Sequence, residues 1–297
     1  MTSHLPLTEI AVLMTCHNRR ALTLRSLRSL AAQALPAGYA LRVYLTDDGS
    51  TDGTADAVRQ EFPEVTVLAG DGKLYWVRGT LRAWQAAHPA PFYLWFNDDV
   101  DLRPDAVSVL LDVHQAAQDP AAIIVGATCD PHTGKTCTGG MIRRNWYNVR
   151  VVDPIDRPLP VDTCNGNILL VPRAAETQLG MIDGRYTHCF ADGDYGLRAR
   201  RRGIPLLLAP GHLGECELNP LVNTSFDSNL KFRDRWAKLF GPKGYRPPDQ
   251  WWTFVRDHAP RPKVFYWVMP YVLFLVEALF GGKLRLRRHV RRPQEVV

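Results

Sequence analysis

Residues 41–54 read LRVYLTDDGSTDGT, a stretch that joins an apolar run to two carboxylates, a glycine turn and a helix start. The run at 41–46 predicts a buried strand, so Asp47 and Asp48 follow its carboxyl end. A polar residue at 50–52 can cap the next helix. Open α/β sheets bind ligands at this edge, where a carboxylate can accept hydrogen bonds from a nucleotide base or ribose. The alternative is an acidic turn that only caps a helix.

Further apolar runs repeat the strand pattern, with helical patterns between them, at Ile10–Thr15, Val65–Leu68, Phe92–Phe96 and Ala121–Gly126. This alternation predicts an α/β fold with a mainly parallel, doubly wound sheet and helices on both faces. From about residue 130, short β-prone runs alternate with turns, which indicates a mixed second half. We therefore predict two halves of one domain at 1–125 and 126–240, followed by a helical extension at 241–297.

A second acidic stretch follows the strand at 92–96 and reads Asn97-Asp98-Asp99-Val100-Asp101. Carboxylates this close repel one another unless a cation lies between them. Oxygen ligands favour a hard ion such as Mg²⁺ or Mn²⁺, which can also neutralise a departing diphosphate. The alternative is a solvated acidic loop.

A third acidic stretch, FADGDYGLR at 190–198, places Asp192 and Asp194 at a predicted helix start. The helix dipole favours negative charge there, and one of the two can act as a general base toward an acceptor hydroxyl. The alternative is simple N-capping.

Two further features have a structural and a functional interpretation. His212 follows an apolar strand at 205–209 and can complete a metal shell or touch a diphosphate, although a lone histidine is more often structural. Tyr75 and Trp76 follow the glycine-rich loop GDGK at 70–73 and can either stack on a sugar or pack in the core.

Charge and cysteine usage narrow the class of protein. Residues 283–297 contain six Lys or Arg against Glu295 alone, so nearly all of the net charge of +6 belongs to this tail, and a nucleic-acid-binding body is not expected. The six cysteines form no C-x-x-C pair, and the N-terminus resembles no secretory signal, which indicates reduced thiols and a cytoplasmic location.

An apolar, aromatic-rich run at Val264–Phe280 directly precedes the basic tail. Its 17 residues are at the short limit for spanning a bilayer. We therefore expect an interfacial helix at the inner face of the cell membrane, with a buried C-terminal helix as the alternative.

The order of these motifs resembles family 2 of the inverting glycosyltransferases, which have the GT-A fold. The matching pieces cover about residues 8–215 and read MTCHNR at 14–19, DDGSTDGT, WFNDDV at 95–100, FADGDYGLRARRRG at 190–203 and PGHLG at 210–214. GDGKLYWVRG followed by WFNDDV is most similar to bacterial enzymes that build surface polysaccharides, often with rhamnose. The resemblance implies transfer of a sugar from a nucleotide-diphosphate donor to a glycan or glycolipid hydroxyl.

The resemblance, together with the residue pattern for Asp98, Asp194, Tyr75 and Trp76, gives expected roles for individual positions. Those assigned to nucleotide and donor binding are Thr15, Asn18, Arg19, Asp48, Asn97, Asp98 and Trp76. Asp99 and His212 are expected to bind Mg²⁺ or Mn²⁺, Asp192 to be the catalytic base, and Asp194 and Tyr75 to contact the acceptor. The chain departs from the family pattern twice, because Asn97 replaces the first carboxylate of the D-x-D motif and Ala191 replaces a glutamate before the base.

Two other functions fit parts of the pattern. A sugar nucleotidyltransferase uses a similar sheet, but it needs a glycine-rich loop after the first strand, where this chain has TCHNRR. A non-catalytic nucleotide- or carbohydrate-binding module would use the acidic turns only as helix caps.

Overall fold

A computed structural model describes residues 7–146, 148–217, 223–227, 229–244 and 246–279. The described residues form two compact units, one within 1–143 and 150–219 and the other within 144–149 and 220–297. The predicted boundaries at 125 and 240 remain predictions. The basic tail and the end of the apolar run, residues 280–297, lie outside the described residues.

The first half of the larger unit alternates strands and helices. Its elements are β1 (Thr8–Cys16), α1 (Arg20–Ala31), β2 (Tyr39–Asp47), α2 (Thr54–Glu61), β3 (Thr66–Ala69), α3 (Tyr75–Ala87), β4 (Phe92–Phe96), β5 (Asp101–Leu102), α4 (Ala106–Ala116) and β6 (Ile123–Cys129). Each apolar run predicted as a strand overlaps a strand, although Val65 precedes β3 and Ala121 and Ala122 precede β6. Helix α3 begins at Tyr75, directly after the glycine-rich loop, and so places Tyr75 and Trp76 in its first turn.

Short strands dominate the following segment, as the short β-prone runs after about residue 130 predict. They are β7 (Thr136–Thr138), β8 (Gly140–Asn145), β9 (Asn148–Val151), β10 (Leu159–Pro160), β11 (Thr163–Cys164) and β12 (Ile168–Pro172), and they precede α5 (Arg173–Leu179), α6 (Ala191–Arg201) and β13 (Leu206–Glu215).

The main sheet has the order β10-β13-β6-β12-β4-β1-β2-β3. Strands β4, β1, β2 and β3 run parallel, as do β6 and β13, whereas β12 is antiparallel to both of its neighbours. The predicted α/β class with a mainly parallel first half is therefore confirmed. Because β12 is inserted antiparallel between β4 and β6, its amino end lies at the same edge as the carboxyl end of β4.

Both faces of the sheet are covered by helices. Along β1, Ile10, Val12 and Met14 lie on one face, in a buried cluster shared with α1, α2 and α4. On the opposite face, Trp84 of α3 contacts Tyr93 and Trp95 of β4 at ring-centroid distances of 5.0 and 5.6 Å. Tyr195 of α6 joins them at 5.1 Å from Trp95. Successive side chains of a strand point to opposite faces of the sheet, and both faces are covered by helices. The central runs are therefore apolar throughout.

The smaller unit contains three helices among its described residues, α7 (Phe232–Phe240), α8 (Pro248–His258) and α9 (Lys263–Leu279). Reciprocal indole bonds join α8 to α9, because Trp251 Nε1 donates to the Trp267 carbonyl and Trp267 Nε1 donates to the Pro248 carbonyl, each at 3.1 Å. The predicted C-terminal helical extension is thus present as far as the structure describes it.

The six cysteines are free thiols, as their spacing predicts. Burial raises the pKa of Cys16 and Cys164 and raises that of Cys216 to about 12, so these thiols stay protonated near neutral pH.

Candidate active site

The carboxyl ends of three parallel strands meet at one edge of the sheet. Cys16, the last residue of β1, is paired with Asp47, the last residue of β2, and β4 runs in register on the other side of β1. The segments after these strands, at 17–19, 48–53 and 97–99, therefore begin side by side. This edge is the expected ligand-binding edge of an open α/β sheet.

Asn18 ties the segment after β1 to the turn after β2. Its backbone N–H donates to Ser50 Oγ at 2.9 Å, and its Oδ1 accepts from the Thr51 N–H at 2.7 Å. Asp52 adds a second tie, because its carboxylate accepts from the Arg20 and Thr54 N–H groups at 3.0 and 3.1 Å. The side chain of Asn18 thus shapes the predicted nucleotide pocket by holding two of its loops together.

Asp48 holds the glycine-rich loop. Its carboxylate accepts three backbone hydrogen bonds, from Gly72 at 2.9 Å, Leu74 at 3.2 Å and Tyr75 at 2.8 Å, and the residue is only 2% exposed. The predicted contact of Asp48 with a base or ribose stays a prediction. The hydrogen bonds show a second, structural role: Asp48 fixes the loop that leads into Tyr75 and Trp76.

Trp76 bridges the glycine-rich loop and the second acidic stretch. Its indole Nε1 donates to Asn97 Oδ1 at 2.9 Å, and its carbonyl accepts a 3.4 Å hydrogen bond from the Thr15 hydroxyl. The ring meets Trp95 edge-on at a centroid distance of 5.9 Å. Trp76 therefore combines core packing with a polar contact to Asn97, a candidate donor-binding residue. Thr15 contributes by its hydrogen bond to the Trp76 carbonyl.

Arg19 is ion-paired with both aspartates that follow Asn97. Its Nη1 lies 2.9 Å from Asp99 Oδ2 and 3.3 Å from Asp98 Oδ1. Burial raises the pKa of Asp98 to about 7, and the Arg19 cation opposes that rise. Asp99 Oδ1 is buried and has no hydrogen-bond partner at bonding distance among the described residues, although the Cys216 thiol lies close enough for the Asp99 carboxylate to raise its pKa. One oxygen of Asp99 is thus held by a cation while the other remains unpaired.

Asp192 lies in the first turn of α6, where its carboxylate is held by backbone groups. Oδ1 accepts from its neighbour Gly193 at 2.7 Å, and Oδ2 accepts from Gly166 at 3.1 Å. Burial raises the pKa of Asp192 above its ordinary value, and these hydrogen bonds offset part of the rise. A carboxylate with a raised pKa and a fixed orientation has the properties of a general base.

Gly166 connects Asp192 with Trp76. A Cβ at this position would lie 2.8 Å from the Trp76 ring and 3.1 Å from Trp95, so only glycine allows the observed approach. The same residue donates its N–H to Asp192. The glycine-rich loop, the D-x-D position and the candidate base therefore form one connected structure. Gly166 was missed in the sequence because a single glycine in TCNGNILL gives no local signal of this long-range contact.

The structure does not support the acceptor-binding role of Asp194. The residue is 1% exposed, and its carboxylate pairs with Arg198 Nε at 2.8 Å. Arg198 also donates to the Leu179 and Met181 carbonyls, at 2.6 and 3.3 Å. Asp194 and Arg198 thus form a buried pair that anchors α6 and keeps Asp192 in place. Tyr75, the other predicted acceptor contact, lies half-buried at the start of α3 with a backbone φ of 53°.

His212 lies on β13, and its side chain is hydrogen-bonded to Thr136. Its Nε2 is 2.8 Å from Thr136 Oγ1, and Thr136 donates to Asp153 Oδ1 at 2.5 Å. The described residues contain no group of three or more His, Cys, Asp or Glu side chains arranged to hold a metal ion. The assignments of Asp99 and His212 as metal ligands remain predictions.

Comparisons with known proteins agree on one family. A sequence model of the family described as "Glycosyl transferase family 2" matches residues 11–154, which contain β1 to β6 and the first two acidic stretches. An N-acetylglucosaminyl-diphospho-decaprenol L-rhamnosyltransferase of Mycobacterium tuberculosis is 30% identical over 207 residues, which cover 59% of this chain and 66% of that protein.

A second relative matches a shorter region. The validoxylamine A glucosyltransferase of Streptomyces hygroscopicus subsp. limoneus is 32% identical over 127 residues, which cover 42% of this chain and 27% of that protein. In both cases the aligned part spans less than two thirds of the relative's own length.

Proposed function

We propose that the chain, which matches the model of glycosyl transferase family 2 over residues 11–154 and is similar to a rhamnosyltransferase, is a member of that family and transfers a sugar from a nucleotide-diphosphate donor to a hydroxyl of a glycan or glycolipid. The observation that carries the proposal is the connection of Asp48, Trp76, Asn97 and Asp192 through the glycine-rich loop and Gly166. The family implies the GT-A fold. The related rhamnosyltransferase favours a lipid-diphosphate-linked saccharide as acceptor and a rhamnosyl donor. The resemblance of GDGKLYWVRG and WFNDDV favours a role in bacterial surface polysaccharide synthesis.

Asp192 supplies the base of the reaction. Its carboxylate takes the proton from the acceptor hydroxyl as that oxygen bonds to the anomeric carbon. The bond from this carbon to the diphosphate oxygen breaks, and the nucleoside diphosphate leaves with the electron pair. A single displacement of this kind inverts the anomeric configuration. The hydrogen bonds from Gly166 and Gly193 orient the carboxylate for the transfer.

Asp99 is suited to bind a divalent cation. Asp99 offers a buried oxygen without a hydrogen bond, and Mg²⁺ or Mn²⁺ is commonly held by one or two carboxylates together with substrate phosphates. Such an ion, when bound, neutralises charge on the departing diphosphate. His212 fits less well, because its Nε2 is engaged by Thr136. Arg19, whose side chain is 41% exposed, can move from Asp99 to a phosphate group.

The raised pKa of Asp192 predicts the pH dependence of transfer. The base must be ionised, so kcat/KM should fall as the pH drops through the pKa of this carboxyl. Because burial raises that pKa, the fall should occur at a higher pH than the ordinary aspartate value of 3.8. A pH profile of kcat/KM, with folding followed by circular dichroism, tests this. A profile that stays flat down to the ordinary value would remove Asp192 from the role.

The helix α9 supports the proposed peripheral contact with the membrane. Val264, Val268, Val272 and Leu275 recur at helical spacing, with exposed fractions of 60%, 37%, 43% and 38%. The sequence after the helix carries six Lys or Arg at 283–297, which anionic lipids attract. Among the described residues, no helix combines the length and apolar character needed to cross a bilayer. We place the protein in the cytoplasm at the inner face of the membrane.

We expect the double variant Val268→Glu/Val272→Glu to lose membrane binding. Two charges in the apolar stripe should weaken binding to vesicles of anionic phospholipid by at least about tenfold, since the buried apolar area is lost. Co-sedimentation measures the bound fraction. Ile142→Glu is the matched control, because Ile142 is 41% exposed and lies on β8. Equal binding of the double variant and the wild type would contradict a membrane role for α9.

The proposed function is tested by a thermal-shift screen of UDP-, GDP- and dTDP-sugars, each with and without Mn²⁺. A ligand that binds only the folded state raises the unfolding temperature. We expect one nucleobase class to give a clear shift, followed by release of its nucleoside diphosphate when acceptor is added. Binding without any turnover would favour a non-catalytic module, and no shift with any donor would contradict the proposal.

A further inference from the structure

Asn97 replaces the first carboxylate of the family's D-x-D motif. The hydrogen bond from Trp76 determines which way the Asn97 amide faces. An indole N–H is a donor only, so the atom 2.9 Å from Trp76 Nε1 must be the Asn97 oxygen. The amide nitrogen Nδ2 then lies on the other side of the amide group. Among the described residues, no hydrogen bond to Nδ2 is found, and Asn97 is half-buried.

Trp76 cannot readily turn away from Asn97. Its backbone carbonyl accepts from Thr15, and the next residue, Val77, donates its N–H to the Thr187 carbonyl at 3.1 Å. The indole ring lies against Gly166, where even one added carbon would be 2.8 Å away. These contacts fix the backbone and the ring of Trp76, and so they hold its indole N–H toward Asn97.

We propose that Trp76 is a positioning residue that fixes the amide of Asn97, so that Asn97 Nδ2 donates a hydrogen bond to an oxygen of the nucleotide-sugar donor. The inference rests on the proposed function. It gives a physical reason for the asparagine, because Asp98 and Asp99 already place two carboxylates beside this position. A third carboxylate would add repulsion and could only accept a hydrogen bond. The amide instead offers a neutral donor to an electron-rich ligand.

The test compares Trp76→Phe, which keeps an aromatic ring and removes the N–H, with Asn97→Asp, which keeps the acceptor and removes the donor. We expect each to raise the Kd of the donor by about tenfold, the size of one hydrogen bond to a charged or polar ligand. We expect the double variant to be no weaker than about the worse single variant, because both changes remove the same interaction. Trp252→Phe, at an exposed position of α8, is the matched control.

Calorimetry with the intact nucleotide-sugar and with the nucleoside diphosphate alone shows which part of the donor carries the oxygen that accepts from Asn97 Nδ2. A loss with both ligands supports the proposal and assigns the oxygen to the nucleotide, whereas a loss only with the intact donor supports it and assigns the oxygen to the sugar. Wild-type affinity in Trp76→Phe, or fully additive losses in the double variant, would overturn it. If the wild type binds no nucleotide-sugar, the proposed function fails instead, so the two failures are distinguishable.

Discussion

Replacing Asp192 with asparagine is expected to reduce sugar transfer by about 10²- to 10⁴-fold, the usual contribution of a general base. The amide of asparagine cannot take a proton from the acceptor hydroxyl. Asparagine has nearly the same shape, and its one oxygen can still accept from Gly166 or Gly193. Donor binding should therefore survive, so kcat falls while the Kd of the donor stays near the wild-type value. Acceptor-dependent release of nucleoside diphosphate measures the rate.

The control for this variant is Asp156→Asn, which makes the same chemical change at an exposed position. It should transfer sugar at the wild-type rate. Asp192→Asn gives up one of two backbone hydrogen bonds, so a fall of a few degrees in its unfolding temperature is compatible with the account. Transfer comparable to wild type in Asp192→Asn would show that another group is the base.

The second large effect is expected from Asp99→Ala. Removing this carboxylate removes the buried oxygen proposed to bind the divalent ion, and it leaves Arg19 paired only with Asp98. Nucleotide binding that depends on Mn²⁺ should weaken by at least about tenfold, because the ion would be held by phosphate oxygens alone. Calorimetric titration of the nucleoside diphosphate, with Mn²⁺ and with EDTA, separates the metal-dependent part of the affinity.

Asp105→Ala is the matched control, because Asp105 is exposed and pairs only with Arg103 at 3.3 Å among the ion pairs found in the described residues. It should bind like the wild type under both conditions. An affinity in Asp99→Ala that equals the wild-type value, both with Mn²⁺ and with EDTA, would argue against a metal site at this position.

The parts of the fold that the sequence predicts well are those that depend on local pattern. Buried parallel strands are continuous apolar runs, so Phe92–Phe96 was located to the residue. The basic segment after β1 and the acidic segments after β2 and β4 meet because parallel neighbours share an edge. The start of α3 is harder to predict, because Tyr75 and Trp76 follow a glycine-rich loop and the strong helical pattern begins only later.

The parts that the sequence does not predict depend on distant contacts. Nothing near Asp194 indicates that Arg198 holds it in the interior, since an Asp and an Arg four residues apart are also typical of an exposed helix face. Likewise, the partner of His212 is Thr136, which is 76 residues away. The Trp76–Asn97 hydrogen bond could be recognised only once the loop and the strand end were seen together.

The central claim is that the donor binds at the carboxyl edge of the sheet, between Asp99 and Asp192. The most direct measurement is a crystal structure of Asp192→Asn with an intact nucleotide-sugar and Mn²⁺. The account predicts the diphosphate beside Asp99, and the anomeric carbon open to the side chain at position 192. A donor bound elsewhere, or a side chain at 192 separated from the sugar by core residues, would contradict it.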